Sequence, residues 1–259
     1  MHAFNVGGSS ACTAAKTIVL IRHAMSDENI QVAGLLHGVA NVQHLRLPPL
    51  SCCTNLCSLL LSLSHGDSAV SQRGIAQIQD LQRILETAAF FQKIKPEAIV
   101  VSPLTRARET CAGILPKDAL AMGLPAVQVL PDLEEASALE HVFMGSLQTR
   151  IERFKQWLAR SDAQTIVVVG HCQYFKQLLG TKFLMRNCDV WKCTLNIAPG
   201  TGTGDELKVA WSEPQLLYRT QLSEAHPWSK LRGDGDGSER GPASRRVLAV
   251  DSTAGGPDN

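Results

Sequence analysis

Short runs of apolar, mostly β-branched residues recur along the chain and end abruptly at polar residues. Residues 18–21 (IVLI), 98–101 (AIVV) and 165–169 (TIVVV) have almost no polar positions. Such runs are typical of strands that are buried on both faces of a parallel sheet. Further strands are predicted over residues 127–130, 189–195 and 207–211.

Amphipathic stretches separate these runs and predict helices. One stretch places apolar residues at steps of three and four, as a helix with one buried face requires: Ile75, Ile78, Leu81, Ile84 and Leu85. More helices are predicted from residue 104 to about 115, over 147–158 and over 174–179, and Ser102 before Pro103 predicts an N-cap. The alternation predicts a three-layer α/β/α sandwich with a mostly parallel, mixed central sheet.

The pattern also predicts the domain organisation. Residues 16–222 are expected to form one domain, with a disordered lead-in over 1–15 and a disordered tail over 223–259. Within the domain, residues 34–66 form an irregular insertion without a helical or alternating period, rich in Leu, Ser, Cys and Pro. Two interpretations stay open for this segment, a retained intron in the gene model and an exposed interaction loop.

Composition and charge exclude some classes of function. The net charge of +1 over 259 residues gives no support for bulk attraction to nucleic acid or to a membrane surface. No apolar run approaches the roughly 18 residues that a membrane span requires. The eight cysteines lack paired C-x-x-C spacing, so they are expected to be reduced and the protein cytoplasmic. Oligomeric state has no readable signal.

Three predicted strands end in residues that suit the same chemistry. The first ends at Arg22 and His23, the second at Ser102 with Arg106 one turn later, and the third at His171. If the strands are neighbours, two histidines and two arginines face one pocket. This set is poor for a metal, because two imidazoles lack a third ligand and arginines repel a cation. It suits a phosphate group.

The motifs around these strand ends occur in a characteristic order. Residues 21–29 are similar to R-H-G-x-S-x-x-N, 67–74 to D-x-x-L-T-x-x-G, 102–110 to S-x-L-x-R-A-x-x-T, 133–135 to L-x-E, 169–171 to V-S-H and 187–190 to N-C-E. Together they resemble the histidine phosphatase (phosphoglycerate mutase-like) superfamily, in its phosphatase-type branch. The chain departs from the pattern at Ala24, where Gly is usual, and at Gly170, where Ser is usual.

The resemblance implies a role for each matched residue. His23 would be the phosphorylated nucleophile, and Glu135 the general acid that protonates the leaving oxygen, which requires a raised carboxyl pKa. Glu134 is the neighbouring alternative. The residues implied to bind the phosphoryl group and the substrate are Arg22, Asn29, Arg106 and His171.

These observations predict a phosphomonoesterase that acts through a phosphohistidine on His23, without a metal or cofactor. Its substrate would be a phosphorylated small molecule or a phosphoprotein. A phosphoglycerate mutase-type phosphotransferase is less favoured, because the chain lacks the Trp-Asn pair and the Glu-Arg-x-Tyr-Gly segment of the mutases. The third possibility is a catalytically inactive module that binds phosphate or phosphopeptides.

Overall fold

The computed structural model describes residues 14–27, 29–30, 67–135, 145–181, 183–199 and 207–223. The predicted insertion over 34–66 and nearly all of the predicted tail lie outside these residues. The first strand begins at Ala14, so the predicted lead-in is wrong for its last two positions. Within the described part of the chain, no helix is both long and apolar enough to span a membrane.

The described residues form seven strands and five α-helices. The strands are β1 (Ala14–Arg22), β2 (Ala98–Val101), β3 (Val127–Val129), β4 (Thr165–Gly170), β5 (Val190–Pro199), β6 (Leu207–Trp211) and β7 (Gln215–Tyr218). The helices are α1 (Gln72–Thr87), α2 (Phe90–Ile94), α3 (Thr105–Ile114), α4 (Gly145–Arg160) and α5 (Cys172–Leu179). A 3₁₀ turn, Pro131–Leu133, follows β3.

All seven strands belong to one sheet. Its order is β3-β2-β4-β1-β5-β6, and β7 also pairs with β5. Strands β1 to β4 are parallel to one another where they pair, whereas β5 runs antiparallel to β1, β6 and β7. The predicted mixed sheet is therefore confirmed, and β2, β4 and β1 are direct neighbours.

Helices cover both faces of this sheet because β1, β2 and β4 alternate between two apolar faces. Ile18 and Leu20 point into a core formed with α4 and α5, which includes Phe154. Val19 and Ile21 point into a second core, formed with α1 and α3. Each core is made of buried apolar side chains, whose burial supplies the main driving force for folding. The three-layer α/β/α architecture is confirmed.

The N-cap of helix α3 differs from the sequence-based expectation. Helix α3 begins at Thr105, and its N-cap residue is Leu104 rather than Ser102. The Asp67 carboxylate accepts hydrogen bonds from the Thr105 backbone N–H and hydroxyl, at 2.6 and 2.8 Å. Asp67 thus supplies, from a distant part of the chain, the acceptor expected of Ser102. Ser102 is used in the site instead.

Helix α1 buries most of the predicted face, including Ile78, Leu81 and Leu85, but the face differs at two positions. Ile75 is 41% exposed, whereas Gln77 is completely buried. The Gln77 side-chain oxygen accepts from the Met25 N–H at 2.8 Å, and its amide donates to the Leu222 carbonyl at 2.8 Å. A buried amide with both groups bonded is stable. Helix α2 and strand β7 were not predicted.

Candidate active site

The ends of β1, β2 and β4 meet at one edge of the sheet. Arg22 lies opposite Gly170 in the register of β1 and β4. The His23 N–H donates to the Gly170 carbonyl at 2.9 Å, and the Ser102 N–H donates to the Val169 carbonyl at 3.0 Å. The carboxyl ends of parallel strands are the usual ligand position in open α/β sheets. The predicted convergence of these segments is observed.

His23 is buried and held in one orientation. Its Nδ1 lies 2.6 Å from the Ala24 carbonyl oxygen. Because a carbonyl can only accept, Nδ1 must carry the proton, and the lone pair of a neutral ring is then on Nε2. The loop is fixed in turn by the Ala24 N–H, which donates to the Thr110 hydroxyl at 2.9 Å. The local structure therefore determines which nitrogen of His23 is nucleophilic.

The surroundings of His23 keep its ring neutral. Burial lowers the pKa of His23 well below its ordinary value, and the positive charges of Arg106 and Arg22 and the neighbouring His171 lower it further. The Glu135 carboxylate opposes this shift without reversing it. A neutral imidazole with a free lone pair is the form that attacks an electrophile.

His171 follows β4 and faces His23, with the ring centroids 5.0 Å apart. Its Nδ1 lies 3.3 Å from Glu135 Oε2, and its Nε2 lies 2.7 Å from the Ser102 hydroxyl. Since a carboxylate accepts, the proton belongs on Nδ1, and the Ser102 hydroxyl then donates to Nε2. Burial lowers the pKa of His171, which Glu135 opposes. His171 is thus neutral, and its Nδ1 is close to Glu135 Oε2 without hydrogen-bond geometry.

Two arginines complete the pocket. Arg22 is completely buried, and its Nη1 donates to the Met185 carbonyl at 2.7 Å. Its Nε and Nη2 are buried and have no hydrogen-bond partner among the described residues. Arg106 is 4% exposed, and its Nη2 donates to Glu135 Oε2 at 2.9 Å. Buried guanidinium donors without partners are costly unless an anion satisfies them.

The protonation state of Glu135 differs from the one expected for a general acid. Burial by itself raises the pKa of Glu135, but His171, Arg106 and His23 outweigh it, and the net pKa lies well below its usual range. The expected raised pKa is therefore wrong for this state of the site. The physical reason is that one oxygen, Oε2, contacts both Arg106 and His171. In this arrangement Glu135 is a carboxylate.

Glu134 and Asn29 lie at the margin of this cluster. The Glu134 side chain is exposed, and its carbonyl accepts from Arg150 Nη2 at 3.3 Å. Asn29 is buried, and its side-chain oxygen accepts from the Ser26 hydroxyl at 3.2 Å and from the Ser26 N–H at 3.3 Å. Asn29 therefore stabilises the loop after β1, and its predicted substrate contact stays a prediction.

Three side chains of the site could in principle hold a cation. Ligand atoms of His23, Glu135 and His171 all lie within 4.8 Å of one another. The sequence argument that two imidazoles lack a third ligand is therefore wrong, because Glu135 supplies a carboxylate. The argument from charge remains, since Arg106 donates to the same carboxylate oxygen and Arg22 adds a second positive charge. The donor set suits an anion better than a metal.

Several positioning contacts could not be found from the sequence. Ser102 was recognised within a motif, but its hydrogen bond with His171 depends on the pairing of β2 with β4. Asn187, just before β5, donates to the His23 carbonyl at 3.0 Å. Gly170 also has a packing reason, since a Cβ there would lie 3.0 Å from the Phe175 ring. Only the motif similarity signalled these positions.

A family model supports this interpretation of the site. The model of the histidine phosphatase superfamily (branch 1) matches residues 61–142. The resemblance to this superfamily is confirmed. The matched region begins inside the predicted 34–66 insertion and contains Arg106 and Glu135. His23 and His171 lie outside the matched region, so their place in the site is inferred from the geometry described above. No curated protein sequence matches the chain.

Solved structures of similar fold include two proteins that are named as phosphatases. The protein named mycobacterial hydrolase 2 is 16% identical, with 81% of this chain and 92% of that chain covered and a TM-score of 0.44. Entamoeba histolytica phosphoserine phosphatase with 3-phosphoglyceric acid is 16% identical, covering 80% and 98%, TM-score 0.41. Mycobacterial glucosyl-3-phosphoglycerate phosphatase with VO3 is 16% identical, covering 78% and 97%, TM-score 0.43. At this identity the likeness concerns the fold.

Proposed function

We propose that the chain is a metal-independent phosphomonoesterase that acts through a phosphohistidine on His23. The observation that carries this proposal is the state of His23, which is neutral, fixed through Nδ1 on the Ala24 carbonyl and placed beside two buried guanidinium groups. A nucleophile in a positively charged, largely dry pocket is what phosphoryl transfer requires. The proposed location remains the cytoplasm, and the substrate a phosphorylated small molecule or a phosphoprotein.

The reaction has two balanced steps. His23 Nε2 attacks phosphorus, an N–P bond forms, and the ester P–O bond breaks with its electron pair on the leaving oxygen. Glu135 gives that oxygen a proton. Water then attacks phosphorus while the Glu135 carboxylate takes one of its protons, the N–P bond breaks with its electron pair on Nε2, and phosphate and neutral His23 are released. Arg22, Arg106 and His171 stabilise the charge on the transferring group in both steps.

For Glu135 to act as an acid, its protonation must change when the substrate binds. A phosphoryl dianion would compete for the same donors, Arg106 and His171, that lower the pKa of Glu135 in this structure. Loss of those contacts and the nearby negative charge both raise a carboxyl pKa. The proton is therefore available only when the pocket is occupied.

Trapping the intermediate tests the proposal. Rapid quench with ³²P-labelled nitrophenyl phosphate in EDTA should give labelled protein that survives alkali and loses label in acid. His23→Gln should give no label, whereas Lys155→Met, which removes a partly buried ion pair on α4 (Lys155–Glu152, 2.8 Å), should label normally. Label that persists in His23→Gln, or turnover that requires a divalent metal, rejects the mechanism. Phosphate binding without labelling or turnover indicates the inactive-module alternative.

A further inference from the structure

The segment between α5 and β5 holds the end of β1 in place. We call residues 185–189 the clamp segment. Four of its hydrogen bonds go to Arg22 and His23: Arg22 Nη1 to the Met185 carbonyl at 2.7 Å, the Cys188 N–H to the Arg22 carbonyl at 3.2 Å, the Arg22 N–H to the Asp189 carbonyl at 3.2 Å, and Asn187 Nδ2 to the His23 carbonyl at 3.0 Å. The clamp segment thus fixes both the guanidinium and the backbone of the nucleophile.

The clamp segment has an unfavourable local conformation. Cys188 has a φ of +59° and is completely buried. This left-handed conformation is uncommon and unfavourable for a residue other than Gly, Asn or Asp. It must be maintained by contacts from the rest of the fold. The clamp segment is therefore expected to relax when a contact that closes it is removed.

The Asp189 carboxylate provides that contact. Its Oδ2 accepts from the Arg186 N–H at 2.7 Å, which closes the clamp segment on itself. Asp189 is completely buried, so its charge requires a partner. Arg219 supplies one with a two-pronged contact, Nε to Oδ1 at 2.9 Å and Nη2 to Oδ2 at 2.8 Å. Trp191 Nε1 lies 3.4 Å from Oδ2 and adds a weaker contact.

We infer that Arg219 is a positioning residue for Arg22 and His23, acting through Asp189 and the clamp segment. Arg219 directly follows β7, far along the chain from every motif of the site, and β7 is placed beside the clamp segment by pairing Tyr218 with Val190. Because both prongs of the guanidinium are used, a point charge alone cannot replace it. The inference rests on the proposed function for its kinetic readout, but not for its spectroscopic one.

Two variants of Arg219 test the inference, with Lys155→Met as the control. Arg219→Met should lower kcat for nitrophenyl phosphate about tenfold or more, because small misplacements of reacting groups are costly. Arg219→Lys should recover part of that loss. In NMR titrations, His23 in Arg219→Met should titrate closer to its ordinary pKa than in the wild type, because the Arg22 guanidinium is no longer held beside it. The control should match the wild type in both measurements.

The outcomes separate the inference from the proposed function. If the wild type has no turnover, the proposed function fails, and the His23 titration still decides the role of Arg219. Wild-type kcat and an unchanged His23 titration in a folded Arg219→Met protein would overturn the inference. If Arg219→Met does not fold, Arg219→Lys decides it, since wild-type kcat and titration there would show that the two-pronged contact is unnecessary.

Discussion

The two sides of the site are built in different ways. On the His23 side, main-chain hydrogen bonds and a sheet edge fix Arg22 and the nucleophile. On the Glu135 side, the carboxylate follows a 3₁₀ turn of three residues and is held by Arg106 and His171 side chains. The first side is independent of what the pocket contains. The second is held by charges, so its arrangement depends on whatever anion competes for them.

The two sides suit different roles in the proposed mechanism. A nucleophile benefits from an orientation that is fixed before the substrate arrives. A general acid must hold a proton, which a carboxylate in contact with Arg106 and His171 cannot do. A phosphoryl dianion carries more negative charge than a carboxylate and can replace it on those donors. In the proposed mechanism Glu135 is therefore a carboxylate while Arg106 and His171 contact it, and it becomes an acid when a phosphoryl group takes over those contacts.

The largest expected effect on the Glu135 side comes from Glu135→Gln. This change should lower turnover of alkyl phosphates about 10²- to 10⁴-fold, the usual contribution of a general acid. Nitrophenyl phosphate should lose much less, because its leaving group needs little protonation. Steady-state kinetics with both esters measures the difference.

Glu134→Gln is the matched control, because the neighbouring carboxylate is exposed. It should leave both rates close to the wild type. Equal losses on the two esters in Glu135→Gln would indicate a structural role for Glu135. A selective loss in Glu134→Gln alone would transfer the acid role to Glu134.

A smaller effect is expected on anion binding. If Glu135 competes with phosphate for Arg106 and His171, Glu135→Gln should bind inorganic phosphate more tightly, by about tenfold or ~1.4 kcal/mol. The sign is opposite to that expected for a residue that helps to bind the anion. Isothermal titration calorimetry at pH 7 gives both affinities.

The pH dependence sharpens this test. The competing charge exists above the pKa of Glu135, which the contacts with His171 and Arg106 hold well below its usual range. The difference between wild type and Glu135→Gln should therefore persist from pH 7 to pH 5. Weaker phosphate binding by Glu135→Gln, or a difference that vanishes already at pH 5, would contradict the competition.

Much of the fold and of the site follows from local sequence patterns. The strands around residues 18–21, 98–101 and 165–169 were predicted because buried parallel strands are uninterrupted apolar runs. Arg22, His23 and His171 were found because they follow such runs directly. The convergence of these residues could be predicted because each stretch of chain contains both the structural signal and the chemical one, whereas their roles stay predictions.

The predictions failed where one residue depends on a distant partner. The cap of α3 comes from Asp67, and the buried face of α1 contains Gln77 because Met25 and Leu222 need bonding partners there. The low pKa of Glu135 likewise arises from its contacts with Arg106 on α3 and with His171 after β4. Such effects require the distances between elements, which neither periodicity nor motif spacing provides.

The smallest expected effect concerns the His23 side and is measured as a change in the stability of the folded protein with pH. Burial and the charges of Arg106 and Arg22, together with His171, lower the pKa of His23. Below pH 6.5, the ordinary histidine pKa, the unfolded chain therefore takes up a proton that the folded chain does not. The free energy of unfolding must then fall as the pH drops from 7 to 5.

His23→Gln removes this contribution, and the decrease in Tm over that range should shrink by about 2–4 °C. Circular dichroism melts at both pH values measure it, with Lys155→Met expected to keep the wild-type decrease. An undiminished decrease in His23→Gln would mean that His23 is not held neutral, and would remove the basis for its role as the nucleophile.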